Sequence, residues 1–265
     1  MMTELWNFHQ PSESVAMATT RALVPRGLPR PPPRTRARRR VPALRRAAPR
    51  DACAPEEPHL EDVLSSSGRT TDMARSLWAA ALRVGDVAID ATAGNGHDTV
   101  ALARLVARDD ADAAGRVVAY DVQASAVASA RARVTRELPP ATAARVELRH
   151  ASHDTMAADV PTPDSVGVVC FNLGYLPGAD SDKSVTTTTD ATVRAVTTAT
   201  GLLREGGVVT VVAYVGHDGG AEETAAVLAF CATLDPKRFV VSHHVVLNRK
   251  NSPQLVAVHR RMNRG

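Results

Sequence analysis

Asp90-Ala-Thr-Ala-Gly94-Asn-Gly96-His97-Asp98 is the stretch on which the reading of this chain turns. An apolar run, Val87-Ala-Ile-Asp90, enters it, and a helical pattern, Thr99-Val-Ala-Leu-Ala-Arg-Leu-Val106, leaves it. Glycines at such a junction let the backbone turn sharply and come close to a ligand. The helix N-terminus that follows offers N–H groups with no intrahelical partner. The acid ending the strand has two roles open to it: binding a ligand amine or ordering the loop. Gly94 and Gly96 do not complete G-x-G-x-x-G, because Thr99 holds the third place.

The next apolar run strengthens the site. Gly115-Arg-Val-Val-Ala-Tyr120-Asp121 ends in an acid 25 positions after Gly96, room for one helix and one return strand. A carboxylate there can accept both ribose hydroxyls of a nucleoside cofactor. A cofactor with a carboxylate and an amine at one end suits the loop, and S-adenosylmethionine has both. NAD shares the nucleoside logic and stays a competitor at this point.

Outward from these two runs, strands and helices alternate. The patterns predict helices over 71–82, 97–107, 124–136, 190–203 and 221–234. They predict strands over 87–90, 116–121, 146–150, 165–171 and 208–215. Met73, Leu77 and Ala81 set the apolar spacing of the first helix, and Glu205-Gly206-Gly207 reads as the cap ending the fourth. Residues 239–247 and 254–260 read as a terminal antiparallel pair. Such alternation predicts an α/β sheet with helices on both faces. Ligands bind such sheets beyond the carboxyl ends of the strands. Polar groups gather after each predicted strand: Asp90 to Asp98, Asp121 to Gln123, Ser152-His153-Asp154, Asn172 to Pro177, and Tyr214 to Gly220.

Composition divides the chain. Residues 17–50 hold eleven Arg, seven Pro and no acid, a composition that cannot bury enough apolar surface to offset chain entropy. We read residues 1–66 as a disordered targeting arm and 67–265 as one folded domain. Met17 is a candidate true start, and the abundant proline favours plastid import over mitochondrial. Residues 51–265 carry 21 basic and 26 acidic groups, a net charge of −5, so an RNA partner needs a local basic patch. Arg131, Arg133, Arg136, Arg249 and Lys250 are the candidates, the first three reading better as a solvated helix face. Cys53, Cys170 and Cys231 form no C-x-x-C pair, so no metal site is expected. Cys170 reads as a small buried hydrophobe. No apolar stretch approaches the ~18–20 residues of a membrane span.

Phe171-Asn172-Leu173-Gly174-Tyr175-Leu176-Pro177 is similar to the Asn-Pro-Pro-aromatic loop of amino-group methyltransferases. A target amine must be held with its lone pair aimed at the methyl carbon. The Asn172 side-chain oxygen and the Leu173 carbonyl can each accept an N–H, and Tyr175 can stack on a flat base. Asp154, His153, His217 and Tyr175 are candidate bases. His150 and His153 read better as structural groups at strand ends than as metal ligands. His217 lies on a glycine-flanked loop at the ligand edge.

Taken in order, Asp90 to Thr99, Tyr120 to Gln123, Ser152 to Asp154, Phe171 to Gly178, Lys183 to Thr187, Tyr214 to His217 and Asn251-Ser-Pro253 resemble the YtqB/MnmM family, whose members are often labelled rRNA methylases. The resemblance spans about residues 70–262. It implies a Rossmann-like class I methyltransferase with a mostly parallel seven-stranded sheet and an antiparallel terminal strand. It implies S-adenosylmethionine as cofactor, with Asp90, Gly94, Asn95, Gly96, Asp98, Asp121, Gln123 and Asp154 lining it. Asn172, Tyr175 and His217 are then the catalytic residues facing the base. The implied reaction methylates 5-aminomethyl-(2-thio)uridine at the tRNA wobble position, so the anticodon loop of tRNA is the expected partner. A second copy of the chain is a further candidate partner. Two loops depart from the family pattern: an insertion in Pro177–Lys183, and Asn251-Ser-Pro-Gln254 in place of Asn-Asp-Pro-Pro. The basic arm is foreign to bacterial members and suits a plastid version. An rRNA or small-amine methyltransferase and an NAD(P)-binding oxidoreductase are the alternatives carried forward.

Overall fold

The computed structural model of the chain describes residues 69–107, 115–160, 162–174, 189–216 and 219–263. Seven strands form one sheet in the order β3-β2-β1-β4-β5-β7-β6. The strands are β1 (Val87–Asp90), β2 (Arg116–Asp121), β3 (Val146–His150), β4 (Val166–Leu173), β5 (Leu203–Ala213), β6 (Phe239–His244) and β7 (Gln254–Arg260). The first five run parallel, and β7 runs antiparallel between β5 and β6. This is the expected mostly parallel sheet with an antiparallel terminal strand.

Around the sheet lie α1 (Arg69–Ala81), α2 (His97–Ala107), α3 (Ala124–Glu137), the short α4 (Pro140–Ala143) and α5 (Met156–Asp159), α6 (Thr189–Leu202) and α7 (Gly220–Ala232). The central strands β4 and β5 are buried on both faces and read as nearly unbroken apolar runs. Their alternate residues feed two cores. On one face Val168, Cys170, Val208 and Val212 pack with Trp78, Val106 and Val134 from α1, α2 and α3. On the other, Val169, Phe171, Val209 and Val211 pack with Val196, Ala199 and Val227 from α6 and α7. Among the described residues no helix is long and apolar enough to cross a membrane. Nor is there a group of three or more His, Cys, Asp or Glu side chains fit to hold a metal.

Two expectations are corrected. Along α1 and the residue that follows it, the fully buried stripe is Ala74, Trp78 and Leu82, with Met73, Leu77 and Ala81 only flanking it. Trp78 decides the rotation. It carries the largest apolar surface on the helix, and its indole N–H donates to Thr210 Oγ1 at 2.8 Å inside the core. Second, Gly206 and Gly207 do not cap a helix. α6 ends at Leu202, and Leu203 already pairs with Val166 of β4. The ladder then shifts between Val166 and Val168, and Gly206 turns with φ +77° inside that irregularity. A Cβ on Gly207 would stand 2.9 Å from the Val166 carbonyl oxygen, so the bulge needs its glycines.

The strand order reverses between β1 and β4, where a parallel sheet opens a crevice at its carboxyl edge. β1 stops at Asp90, opposite Cys170, whereas β4 continues three residues further, to Leu173, still paired with β5. The chain leaving β1 must therefore turn away from β4, and the glycine loop makes that turn.

Candidate functional site

The turn is held by its own acids. Ala91 N–H donates to the Cys170 carbonyl of β4, and Ala93 N–H donates to the Tyr120 carbonyl of β2, so two residues carry the loop across β1. Of the two roles open to Asp90, the structure has it ordering this loop. The side chain is wholly buried. It accepts from Thr99 Oγ1 at 2.6 Å and from Thr92 N–H at 3.2 Å, with the Cys170 thiol 3.7 Å away. A ligand amine has no approach to it. Burial, then repulsion from Asp98, pushes the Asp90 carboxyl up to about 7, only partly offset by those hydrogen bonds.

Gly94 turns with φ +51°, and its N–H donates to Asp121 Oδ2 at 2.9 Å. Asp121 Oδ1 accepts the Gln123 N–H, also at 2.9 Å. Asp121 therefore joins the first strand's loop to the start of α3. Each of its oxygens still has a second lone pair. Gly96, at φ +78°, lies against α3, where an added Cβ would stand 2.8 Å from Ala130 Cα. Here the glycine serves close packing of loop on helix. Arg133 completes that contact, donating from Nε to the Asn95 carbonyl at 2.6 Å and from Nη1 to Glu137 at 2.6 Å. Arg136 also pairs with Glu137. This helix face is thus partly a brace for the loop.

At the far side of the crevice stands Asn172. Its backbone N–H donates to Thr92 Oγ1 at 2.7 Å. Its side-chain Nδ2 donates to Asp98 Oδ2 at 2.8 Å, leaving the amide oxygen without a partner among the described residues. Asp98, in the first turn of α2, also accepts Arg75 Nε at 3.0 Å and Nη2 at 2.7 Å on its other oxygen. The Leu173 carbonyl, expected to accept from a target amine, accepts the Tyr214 N–H at 3.1 Å, because β4 and β5 stay paired there, and keeps its second lone pair. Burial, then the nearby Asp98 charge, raises the Tyr214 phenol pKa.

The remaining candidates are dispersed. Asp154 faces α6 and pairs with Arg194 at 3.1 Å. Hydrogen bonds from Ser152 and Arg194 lower its pKa. His153 is buried between loop and core: Nδ1 lies 3.1 Å from the Ala91 carbonyl, and the ring meets Phe171 edge-on at 5.6 Å. A carbonyl only accepts, so Nδ1 carries the proton, and burial lowers the His153 pKa. His150 Nε2 holds the Val122 carbonyl at 3.0 Å. Both histidines thus serve as structural groups. Tyr175, His217, Lys183–Thr187 and the arm 1–66 lie outside the described residues. Arg75 escaped sequence reasoning altogether. It belongs to no motif and meets Asp98 only because α1 and α2 pack on one sheet face.

The chain is similar to known proteins across this whole region. Residues 117–260 match the family model described as "Putative rRNA methylase". A curated relative from Arabidopsis thaliana, named tRNA (mnm(5)s(2)U34)-methyltransferase, chloroplastic, is 36% identical over 208 residues, covering 77% of this chain and 75% of its own. A solved "putative rRNA-methylase" from Clostridium thermocellum is 35% identical with a TM-score of 0.64, covering 72% of this chain and 97% of its own. A "putative methyltransferase" from Streptococcus mutans, solved in complex with SAH, is 29% identical with a TM-score of 0.60, covering 72% and 98%.

Proposed function

As the chain belongs to the family described as "Putative rRNA methylase", we propose that it is an S-adenosylmethionine-dependent N-methyltransferase. Its substrate is 5-aminomethyl-(2-thio)uridine at the tRNA wobble position, and its product is 5-methylaminomethyl-(2-thio)uridine. The observation that carries this reading is Asn172. It stands at the strand-order reversal with its amide nitrogen held by Asp98 and its amide oxygen unpartnered among the described residues, opposite the loop braced by Asp121. The relative's name supplies the substrate.

The residues present fit the cofactor. Asp121 spends one lone pair of each oxygen on backbone amides, and the other two suit a pair of ribose hydroxyls. Gly94, Asn95 and Gly96 keep the loop short and side-chain-poor at that place. Gln123 and Asp154 stand after the neighbouring strands. S-adenosylmethionine, when bound, supplies a methyl group on a positively charged sulfur. The chain's own work is to orient the acceptor. The Asn172 amide oxygen accepts one N–H of the target amine, which turns the nitrogen lone pair away from the asparagine. Such positioning is worth roughly 7–11 kcal/mol where it is complete. A free alkylamine resembles lysine, with a reference pKa of about 10.4, and burial at the crevice disfavours its charged form. Tyr175 and His217 remain the candidates for stacking on the base and for taking the proton.

Residues 67–265 make the methyltransferase domain, and residues 1–66 an import arm to the plastid. The arm's acid-free arginine and proline run supports this, as does the chloroplastic relative. A fluorescent protein fused behind residues 1–66 should enter plastids; a diffuse cytosolic signal would refute the import role. For the reaction, the full chain is incubated with S-adenosylmethionine and tRNA bearing 5-aminomethyl-2-thiouridine, and the nucleosides are weighed by mass spectrometry. One added methyl on that nucleoside is the expected result. Its absence, with rRNA methylated instead, would move the substrate to rRNA.

A further inference from the structure

We propose that Arg75 and Asp98 are positioning residues that set which end of the Asn172 amide meets the substrate. This reading rests on the N-methyl transfer proposed above. The two ends of an asparagine amide are nearly the same shape and opposite in chemistry: the oxygen only accepts, the nitrogen only donates. Rotation by half a turn would present N–H groups to an amine whose own N–H groups must be accepted. Only a neighbour can prevent that rotation. Asp98 does so, because its Oδ2 can take the Asn172 nitrogen at 2.8 Å and would repel the oxygen. Asp98 must itself be fixed, and Arg75 clamps its other oxygen from two guanidinium nitrogens at 2.7 and 3.0 Å. Thr92 fixes the other end of the residue through the Asn172 backbone N–H. Asn172 is only partly buried, so its nitrogen could bond water and needs no carboxylate for folding. The brace therefore serves orientation.

The device joins three elements that no local pattern relates: α1, the first turn of α2 and the end of β4. It also assigns Asp98 to the amine side of the crevice. Asp98 Oδ1 already accepts two Arg75 N–H groups, and its Oδ2 accepts the Asn172 amide.

The test compares the full chain as wild type, Asp98→Asn, Asn172→Ala and the double variant on tRNA carrying 5-aminomethyl-2-thiouridine. An asparagine at 98 can offer its own NH2 and turn the Asn172 amide round. We expect kcat to fall by up to about 100-fold in Asp98→Asn, the scale of a small misplacement at a reacting centre. KM for S-adenosylmethionine should hold. The double variant should be no slower than Asn172→Ala alone, because the brace acts only through that amide. Arg75→Lys should keep more rate than Arg75→Met. A wild-type rate in Asp98→Asn, or losses that add in the double variant, overturns the brace. A wild type inactive on this tRNA refutes the substrate instead. The brace is then read without RNA, from the Asn172 side-chain amide resonance of nitrogen-labelled protein, assigned by its loss in Asn172→Ala. That resonance should move in both Asp98→Asn and Arg75→Met, and a resonance unmoved in both overturns the brace.

Discussion

Two arginine–carboxylate pairs stand at opposite edges of the same sheet. At the amino edge, Asp86 precedes β1 and takes Arg204 from the start of β5, together with the Arg83 N–H. Arg204 also donates to the Ala81 carbonyl, and both side chains are nearly buried. Both carboxylate oxygens of Asp86 are met by this chain's own donors. At the carboxyl edge, Asp98 takes Arg75 on one oxygen and Asn172 on the other, and the far end of Asn172 has no partner among the described residues. One pair closes on itself, and the other ends in a group turned outward. A closed ion pair and an open one can thus share residue types, although Arg75 is more exposed than Arg204. What separates them is whether the hydrogen-bond chain terminates inside the protein.

The contrast can be broken most sharply at the amino edge. Asp86→Ala leaves Arg204 buried without its charge partner, which costs about 3–5 kcal/mol of stability. Urea unfolding should record that loss, while kcat of the folded enzyme stays near wild type. A large fall in kcat with intact stability would mean that the closed pair is not merely structural.

At the carboxyl edge, Gly96→Ala forces a Cβ toward Ala130 at a positive φ. The strain of such a position is about 1–3 kcal/mol. The glycine loop should shift, and calorimetry should find S-adenosylmethionine bound more weakly. Unchanged affinity would separate this loop from the cofactor.

A smaller and graded effect sharpens the comparison through pH. Asp90 is wholly buried and titrates near 7 in the folded chain, against 3.8 as its ordinary value. Between those values the folded chain holds a proton that the unfolded chain has released. Stability must therefore fall as pH rises through that window, by at most about 1.4 kcal/mol per pH unit. Below about pH 4 both states are protonated and the penalty vanishes. Asp90→Asn, a permanent copy of the neutral acid, should remove this slope. Urea midpoints at pH 5 and pH 7 that differ as much in the variant as in wild type would contradict it.

The smallest effect belongs to the exposed end of α3. Arg136 is largely in solvent and shares Glu137 with the better-placed Arg133. Arg136→Ala should change stability by less than about 0.5 kcal/mol. If the same variant weakened tRNA binding markedly in a filter assay, this helix face would be an RNA contact rather than a solvated one.

The sequence carried the frame of the molecule far. β1 and β2 begin and end where the apolar runs do, because short parallel strands buried on both faces leave little freedom in their bounds, and the half-buried edge strand β3 also keeps its expected bounds. The described residues of the polar clusters follow the carboxyl ends of the first five strands along one edge, as parallel strands require. Pattern failed where contacts over long separations decide. Nothing local shows that the Leu173 carbonyl already accepts the Tyr214 N–H, because β4 and β5 are still paired there. Met73, Leu77 and Ala81 have a good helical period, yet Trp78 rotates the helix by one residue. Gly206 and Gly207 follow a helix and look like its cap, but the ladder to β4 claims them for a bulge.

The sequence by itself settled that strands alternate with helices, that glycines and an acid follow the first strand, and that a second acid ends the next. These are local matters, fixed by side-chain period and by what the backbone tolerates within a few residues. Tertiary structure alone decided what each acid does. Asp90 was drawn inward by burial, Asp121 was set to join two loops, and Asp98 was caught between Arg75 and Asn172, 23 and 74 residues away. A carboxylate's role depends on the donors that reach it. In a folded chain those donors come from elements that only packing brings together.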